Sequence, residues 1–160
     1  MEIRKVTLAD ADKISGLLTQ LGYPGTAAFI LARIEELIGH PDAELAVAVE
    51  DGTVLGVISV HFIPQLALPG AFARISYLCV DESARSRGIG RLLESWCESM
   101  ARERGCDRIE LHCHSRREEA HRFYHRQGYE DSPKYLMKKI GQPLCHQESG
   151  DSERIRPGMV

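Results

Sequence analysis

The sequence predicts an α+β fold, a mixed and mostly antiparallel sheet flanked by helices. Three observations carry this expectation. Apolar residues switch between period-two runs and helical stripes in the order β-α-α-β-β-β-α-β-α-β. Asp51-Gly52 joins two apolar runs in the manner of a tight hairpin turn. Strand, helix and strand then follow within about 35 residues, a spacing that implies a right-handed parallel crossover.

Ile3 to Val6 reads as a short first strand. Thr7-Leu8-Ala9-Asp10 offers an N-cap with an acidic residue three positions on. Ile14, Leu17, Leu18 and Leu21 share one face of the helix that follows, and Gly22-Tyr23-Pro24-Gly25 breaks it. A second helix from about Thr26 carries Ile30, Ile34, Leu37 and Ile38 and stops at Gly39-His40-Pro41. Glu44 to Glu50 and Thr53 to Phe62 are the hairpin strands, and Phe72 to Val80 is the next one. The helix after Gly90 has Leu92, Leu93, Trp96, Cys97 and Met100 at helical spacing and closes at Gly105. Asp107 to Cys113 is a strand, and Glu118 to Gln127 is a short helix closed by Gly128. Tyr129 and then Lys134 to Ile140 make the last strands. Residues 141–160 turn polar without periodicity and read as a tail outside one domain of residues 1–140.

Composition bounds the function. At 160 residues the chain can bury a core without staples, and its net charge of −3 with no basic run argues against a nucleic-acid partner. No apolar stretch nears the roughly 18 residues of a membrane span, and no apolar leader follows Met1, so no membrane partner and a cytoplasmic location are expected. Five scattered cysteines without a Cys-x-x-Cys pair agree with a reducing compartment and give no zinc site. His112-x-His114 and His121-x-x-x-His125 have metal-like spacing, but no carboxylate or thiol joins either pair in a known pattern, so no metal is expected.

The informative stretch is Leu78-Cys79-Val80-Asp81-Glu82-Ser83-Ala84-Arg85-Ser86-Arg87-Gly88-Ile89-Gly90-Arg91. It reads as a strand end, a polar turn, a basic glycine-containing loop and the start of a long helix. A helix start leaves backbone N–H groups unpaired at the positive end of its dipole, which suits an anion. Gly88 and Gly90 let that anion approach the backbone, and Arg85, Arg87 and Arg91 add charge. A nucleoside-triphosphate loop needs Lys and then Ser or Thr after its last glycine, where Arg91-Leu92 stand. A dinucleotide fingerprint needs a third glycine where Leu93 stands, and Glu110 alone does not supply the repeated strand–helix units. The remaining pattern, Arg/Gln-x-x-Gly-x-Gly/Ala, is met by Arg85-Ser86-Arg87-Gly88-Ile89-Gly90.

That loop resembles the pyrophosphate loop of the Gcn5-related N-acetyltransferase (GNAT) superfamily. Downstream, Ala120-His121-Arg122-Phe123-Tyr124-His125-Arg126-Gln127-Gly128-Tyr129 resembles the superfamily's A-x-x-F-Y-x-x-x-G-F/Y segment. The element order agrees as well, over residues 3–140. Around the second motif the chain looks most like the small-molecule branch that includes aminoalkylphosphonate N-acetyltransferases.

The resemblance implies acetyl transfer from acetyl-coenzyme A to a primary amine of a small molecule. It places the pyrophosphate at Arg85, Ser86, Arg87, Gly88, Ile89, Gly90 and Arg91. It lays the pantetheine arm along Leu78, Cys79 and Val80, where strands ending near Val80 and Cys113 splay. Arg117 takes a coenzyme-contact position where many members have Asn. Tyr124 becomes the general acid for the leaving thiolate, a role a protonated phenol can fill, although an aromatic core residue would look the same in sequence. Many relatives carry a Glu on the strand before the loop. Here Arg74-Ile75-Ser76-Tyr77-Leu78 has no carboxylate, which leaves Tyr77, His112 and His114, or a water they hold, as candidate bases. Relatives often dimerise, so a homodimer is open. Two other readings remain beside the small-molecule enzyme: a non-catalytic acyl-coenzyme A binding module, and a protein or peptide N-acetyltransferase.

Overall fold

In the computed structural model of the protein, which describes residues 1–132 and 135–139, the strands are β1 (Glu2–Lys5), β2 (Ala43–Glu50), β3 (Thr53–Ile63), β4 (Ala71–Val80) and β5 (Cys106–Leu111). They form one sheet in sequence order, antiparallel except for the parallel pair β4 and β5. The helices are α1 (Ala11–Leu21), α2 (Ile30–Ile38), α3 (Ile89–Glu103) and α4 (Glu118–Arg126). The α+β expectation holds.

The hairpin follows from its two turn residues. Asp51 and Gly52 both take positive φ, 50° and 75°, which is the twist a two-residue turn needs to return a right-twisted strand on itself. Two apolar layers then form on the two faces of the sheet. Ile14, Leu17, Ile30 and Ile34 of α1 and α2 cover Leu45, Val47, Val49 and Val57. Ile89, Leu93, Cys97 and Ala101 of α3 cover Ala46, Ala48, Ile58, Val60, Ala73 and Ile75. Burying each larger aliphatic side chain contributes roughly 1.5–3 kcal/mol. Alanines and Gly56 at the sheet centre let α3 approach closely: a Cβ on Gly56 would lie 3.0 Å from the Leu93 side chain and 3.1 Å from the Cys79 carbonyl.

The start of α1 is pinned by Asp10. Its carboxylate accepts from both terminal nitrogens of Arg4, at 2.8 Å each, and from the Thr7 backbone N–H at 2.8 Å. The Arg4 hydrogen bond is the chief reason its carboxyl sits at about 2. One carboxylate thus ties β1 to the turn that launches α1.

The β3–β4 ladder contains the feature that opens the site. Ser59 pairs with Tyr77 and Val60 with Ile75, so Ser76 is an extra, bulged residue on β4. The parallel pairing of β4 with β5 ends at Ile75 and Leu111. Beyond that point β4 continues to Val80 along β3, and among the described residues no strand pairs with its other edge.

Some elements depart from the sequence reading. The second helix begins with a short 3-10 turn, Thr26–Ala28, before α2 starts at Ile30. Ile38 and Leu92 stand in solvent, although both were expected on apolar stripes. At Leu92 the i+4 row Ile89, Leu93, Cys97 and Ala101 takes the inward position, turning the preceding residue outward. β5 ends at Leu111, two residues before Cys113. The expected last strands do not form among the described residues: 129–132 and 135–139 are not strand, and Tyr135, Leu136 and Met137 are exposed. Three consecutive apolar residues between lysines do not alternate, so no single face gains by pairing. Lys134, Ile140 and the tail expected over 141–160 lie outside the described residues.

Candidate active site

Where β4 and β5 part, a cavity of about 1390 Å³ opens between the second half of β4, the start of α3, the end of β5 and α4. Of the residues proposed from sequence, Tyr77, Leu78, Cys79, Val80, Arg85, Ser86, Gly88, Ile89, Gly90, Arg91, His112, Arg117 and Tyr124 all border it. Two do not.

One wall of the cavity is built by the Arg85–Arg91 loop. Ser86 takes φ 64° and Gly88 φ 81°, and alternation of left- and right-handed residues turns successive N–H groups toward one point. Gly88 is the N-cap of α3 and no side chain caps the helix, so its first-turn donors are left for an anion. Gly90 also meets a packing need: a Cβ there would stand 3.2 Å from the Phe123 ring. The missing side chain lets α4 lie against the head of α3. Arg85 and Arg91 line the cavity beside this cradle, with Arg116 and Arg117 from the far side.

Arg87 is not part of that lining. Its guanidinium is ion-paired with Glu50 at the end of β2. It ties the loop to the hairpin.

His114 is the other departure. Its ring Nδ1 accepts from the Arg116 N–H at 3.2 Å, and its carbonyl accepts from the Arg117 N–H at 2.9 Å. The residue shapes the turn into α4 and does not reach the cavity, because β5 ended before it. His112 does border the cavity, with its ring 4.1 Å from that of Tyr135.

Tyr124 borders the cavity from α4. Its ring packs edge-on between Phe123, at 5.0 Å, and Tyr129, at 5.4 Å. Burial pushes its phenol well above the ordinary value, so the group is a proton donor at any physiological pH. No described residue accepts a hydrogen bond from its hydroxyl. That separates it from Tyr129, whose hydroxyl donates to Glu94 Oε1 at 3.1 Å. Of the two tyrosines, Tyr129 behaves as the satisfied packing residue and Tyr124 presents a free donor to the cavity.

Glu94 was not anticipated. It is a buried carboxylate one turn into α3, bordering the cavity, with its carboxyl raised by burial. The spacing Gly90-x-x-x-Glu94 places it under the loop, a signal that was available in the sequence. Its partner Tyr129 lies 35 residues away in the chain, and that pairing was not legible.

Cys79 is also buried. Its thiol donates to the Leu17 carbonyl at 3.1 Å and burial raises it, so the sulfur faces α1 and only the Cys79 backbone is available to the cavity. Tyr77 meets Tyr23 edge-on at 5.4 Å, and both residues line the cavity.

A separate cluster lies on the outer side of α4. His121, His125 and Asp131 each bring one donor atom within 4.8 Å of the others. Both histidines already bond to backbone carbonyls, His121 to His114 and His125 to Tyr129. His125 Nε2 also stands 3.6 Å from Asp131 Oδ1. Among the described residues no helix is long and apolar enough to cross a membrane.

Comparison with known proteins agrees with this geometry. Residues 17–129 match the family described as Acetyltransferase (GNAT) family. An aminoalkylphosphonate N-acetyltransferase of Salmonella typhimurium is 31% identical over 136 residues, spanning 82% of this chain and 86% of that protein. Among solved structures, a Bacillus halodurans protein described as a transcriptional regulator superposes with a TM-score of 0.79 at 26% identity, covering 87% of this chain and 99% of its own. An aminoglycoside N-acetyltransferase solved with CoA gives a TM-score of 0.77 at 19% identity, over 87% and 93% of the two chains, and shares the fold.

Proposed function

The chain belongs to the GNAT acetyltransferase family, and we propose that it moves acetyl from acetyl-coenzyme A directly to a primary amine of a small molecule. One observation carries the reading. An uncapped helix start with a basic loop and a phenol without a described acceptor border one cavity, along a strand edge that no described strand pairs.

The residues fit the coenzyme part by part. The N–H groups of the loop and first turn of α3 would hold its pyrophosphate, with Arg85 and Arg91 neutralising charge. The free edge of Leu78 and Val80 would pair with the amides of the pantetheine arm, as an added strand would. The thioester then lies between Tyr124 and the Tyr23–Tyr77 mouth. There the amine attacks, and the Tyr124 hydroxyl gives its proton to the departing sulfur. Aromatic rings at the mouth favour a cationic acceptor. The kinship with an aminoalkylphosphonate N-acetyltransferase supports a small acceptor.

The test is thiol release from acetyl-coenzyme A over a panel of amines, with mass analysis of the products. Release with small amines, and a product heavier by one acetyl group, is expected. Release only with peptides would turn the reading to a protein acetyltransferase. Coenzyme A binding without release on any amine would turn it to a binding module.

A further inference from the structure

An alkyl amine has a pKa near 10 and reaches the site mostly as ammonium, so some group has to take its proton before attack. No carboxylate stands on β4 ahead of the loop, and the base has to come from elsewhere. We propose that the Ser76 hydroxyl, backed by His61, accepts that proton. The proposal rests on the acetyltransferase reading above.

The geometry is specific. Ser76 is the bulged residue at the point where β4 leaves β5, and it borders the cavity. The bulge matters, because an extra residue there re-aims the β4 side chains beside the Tyr77 ring. His61 on β3 lies behind it, with Nδ1 2.9 Å from Ser76 Oγ. The hydroxyl is therefore the exposed end of a two-member relay whose second member can store a proton.

His61 is also held in the state a base requires. Burial lowers its pKa below the ordinary 6.5, and the His40 ring, centred 6.4 Å away, adds to that. Across β4 its register partner is Arg74, whose charge is balanced by Glu110 at 3.1 Å. Across β2 its partner is Ala43, which carries no charge. No described carboxylate bonds to His61, so nothing holds it as imidazolium at neutral pH.

The rival candidates fit less well. His114 is spent on the turn into α4, and His112 faces Tyr135. Tyr77 meets the Tyr23 ring and, unlike Ser76, has no described histidine behind its hydroxyl to take a proton onward.

The proton balance closes. The ammonium gives one proton to Ser76 Oγ as the Ser76 proton passes to His61 Nδ1, and His61 later releases it to solvent. The free amine forms the C–N bond and the C–S bond breaks. Tyr124 protonates the sulfur, and the second proton lost from nitrogen restores the Tyr124 hydroxyl.

The test follows acetyl transfer to 2-aminoethylphosphonate against pH in wild type, His61→Gln and Ser76→Ala, with coenzyme A binding measured alongside. Wild-type kcat/KM should rise with pH through an acid limb below about 6.5. His61→Gln should lower kcat by roughly 10²-fold and abolish that limb, with coenzyme A affinity unchanged. His61→Gln with wild-type kcat and an intact limb overturns the proposal, while a slow Tyr124→Phe would leave the acetyltransferase reading standing. A measurement independent of turnover is NMR titration of the His61 ring in the coenzyme A complex. Loss of the Ser76 hydroxyl, which favours neutral imidazole, should raise the midpoint in Ser76→Ala. An unmoved midpoint overturns the relay.

Discussion

Tyr124→Phe is expected to slow acetyl transfer by roughly 10²–10⁴-fold, in kcat and kcat/KM alike, with coenzyme A affinity unchanged. The argument starts from what the hydroxyl touches. No described residue accepts from it, so its removal strands no partner and leaves the packing between Phe123 and Tyr129 intact. Stability should therefore hold, and the loss should appear in chemistry alone. Burial keeps the phenol protonated, which is the form required when a thiolate is expelled. Steady-state rates with a thermal melt of the same sample make the check. A variant that melts early and transfers acetyl at the wild-type rate would mark Tyr124 as packing.

Leu93→Ala should be the most damaging of the simple truncations. Leu93 is fully buried at the centre of the layer between α3 and the sheet, directly over Gly56. Its loss removes buried methyl groups and leaves a hole that β3 cannot fill, because Gly56 has no side chain to move into it. Substitutions of this kind cost about 2–5 kcal/mol. For a chain of this size that lowers the melting temperature by roughly 5–15 °C. A chemical denaturation curve would show a lower midpoint at unchanged slope. The neighbouring Leu92→Ala is the control: its side chain is exposed and its melt should stay close to wild type.

These two positions also show how far the sequence could be read. Periodicity gave α3, but Leu92 and Leu93 look alike in a pattern, and only the sheet decides which of them faces inward. The loop from Arg85 to Gly90 was legible because its shape lies in the backbone ahead of α3, and glycine spacing reports backbone directly. The pairing of Arg87 with Glu50 was not legible, because arginine in a basic loop looks the same whether it faces an anion or a carboxylate. The pairing of His61 with Ser76 was hidden for a related reason. His61 and Ser76 lie 15 residues apart on different strands, joined only by strand register, and a bulge shifts that register by one residue. His114 looked like a strand-end histidine, but the strand stopped at Leu111. The expected final strand rested on a short lysine-flanked run with no strict alternation, the weakest of the period-two signals.

The central claim is that one cavity aligns a thioester between the uncovered edge of β4 and the Tyr124 hydroxyl. A crystal structure with acetyl-coenzyme A bound tests it most directly. The account predicts pyrophosphate oxygens on the N–H groups around Gly88 and Gly90, pantetheine amides on Leu78 and Val80, and the sulfur within hydrogen-bond reach of Tyr124. Coenzyme bound elsewhere, or with its sulfur turned away from Tyr124, would contradict it.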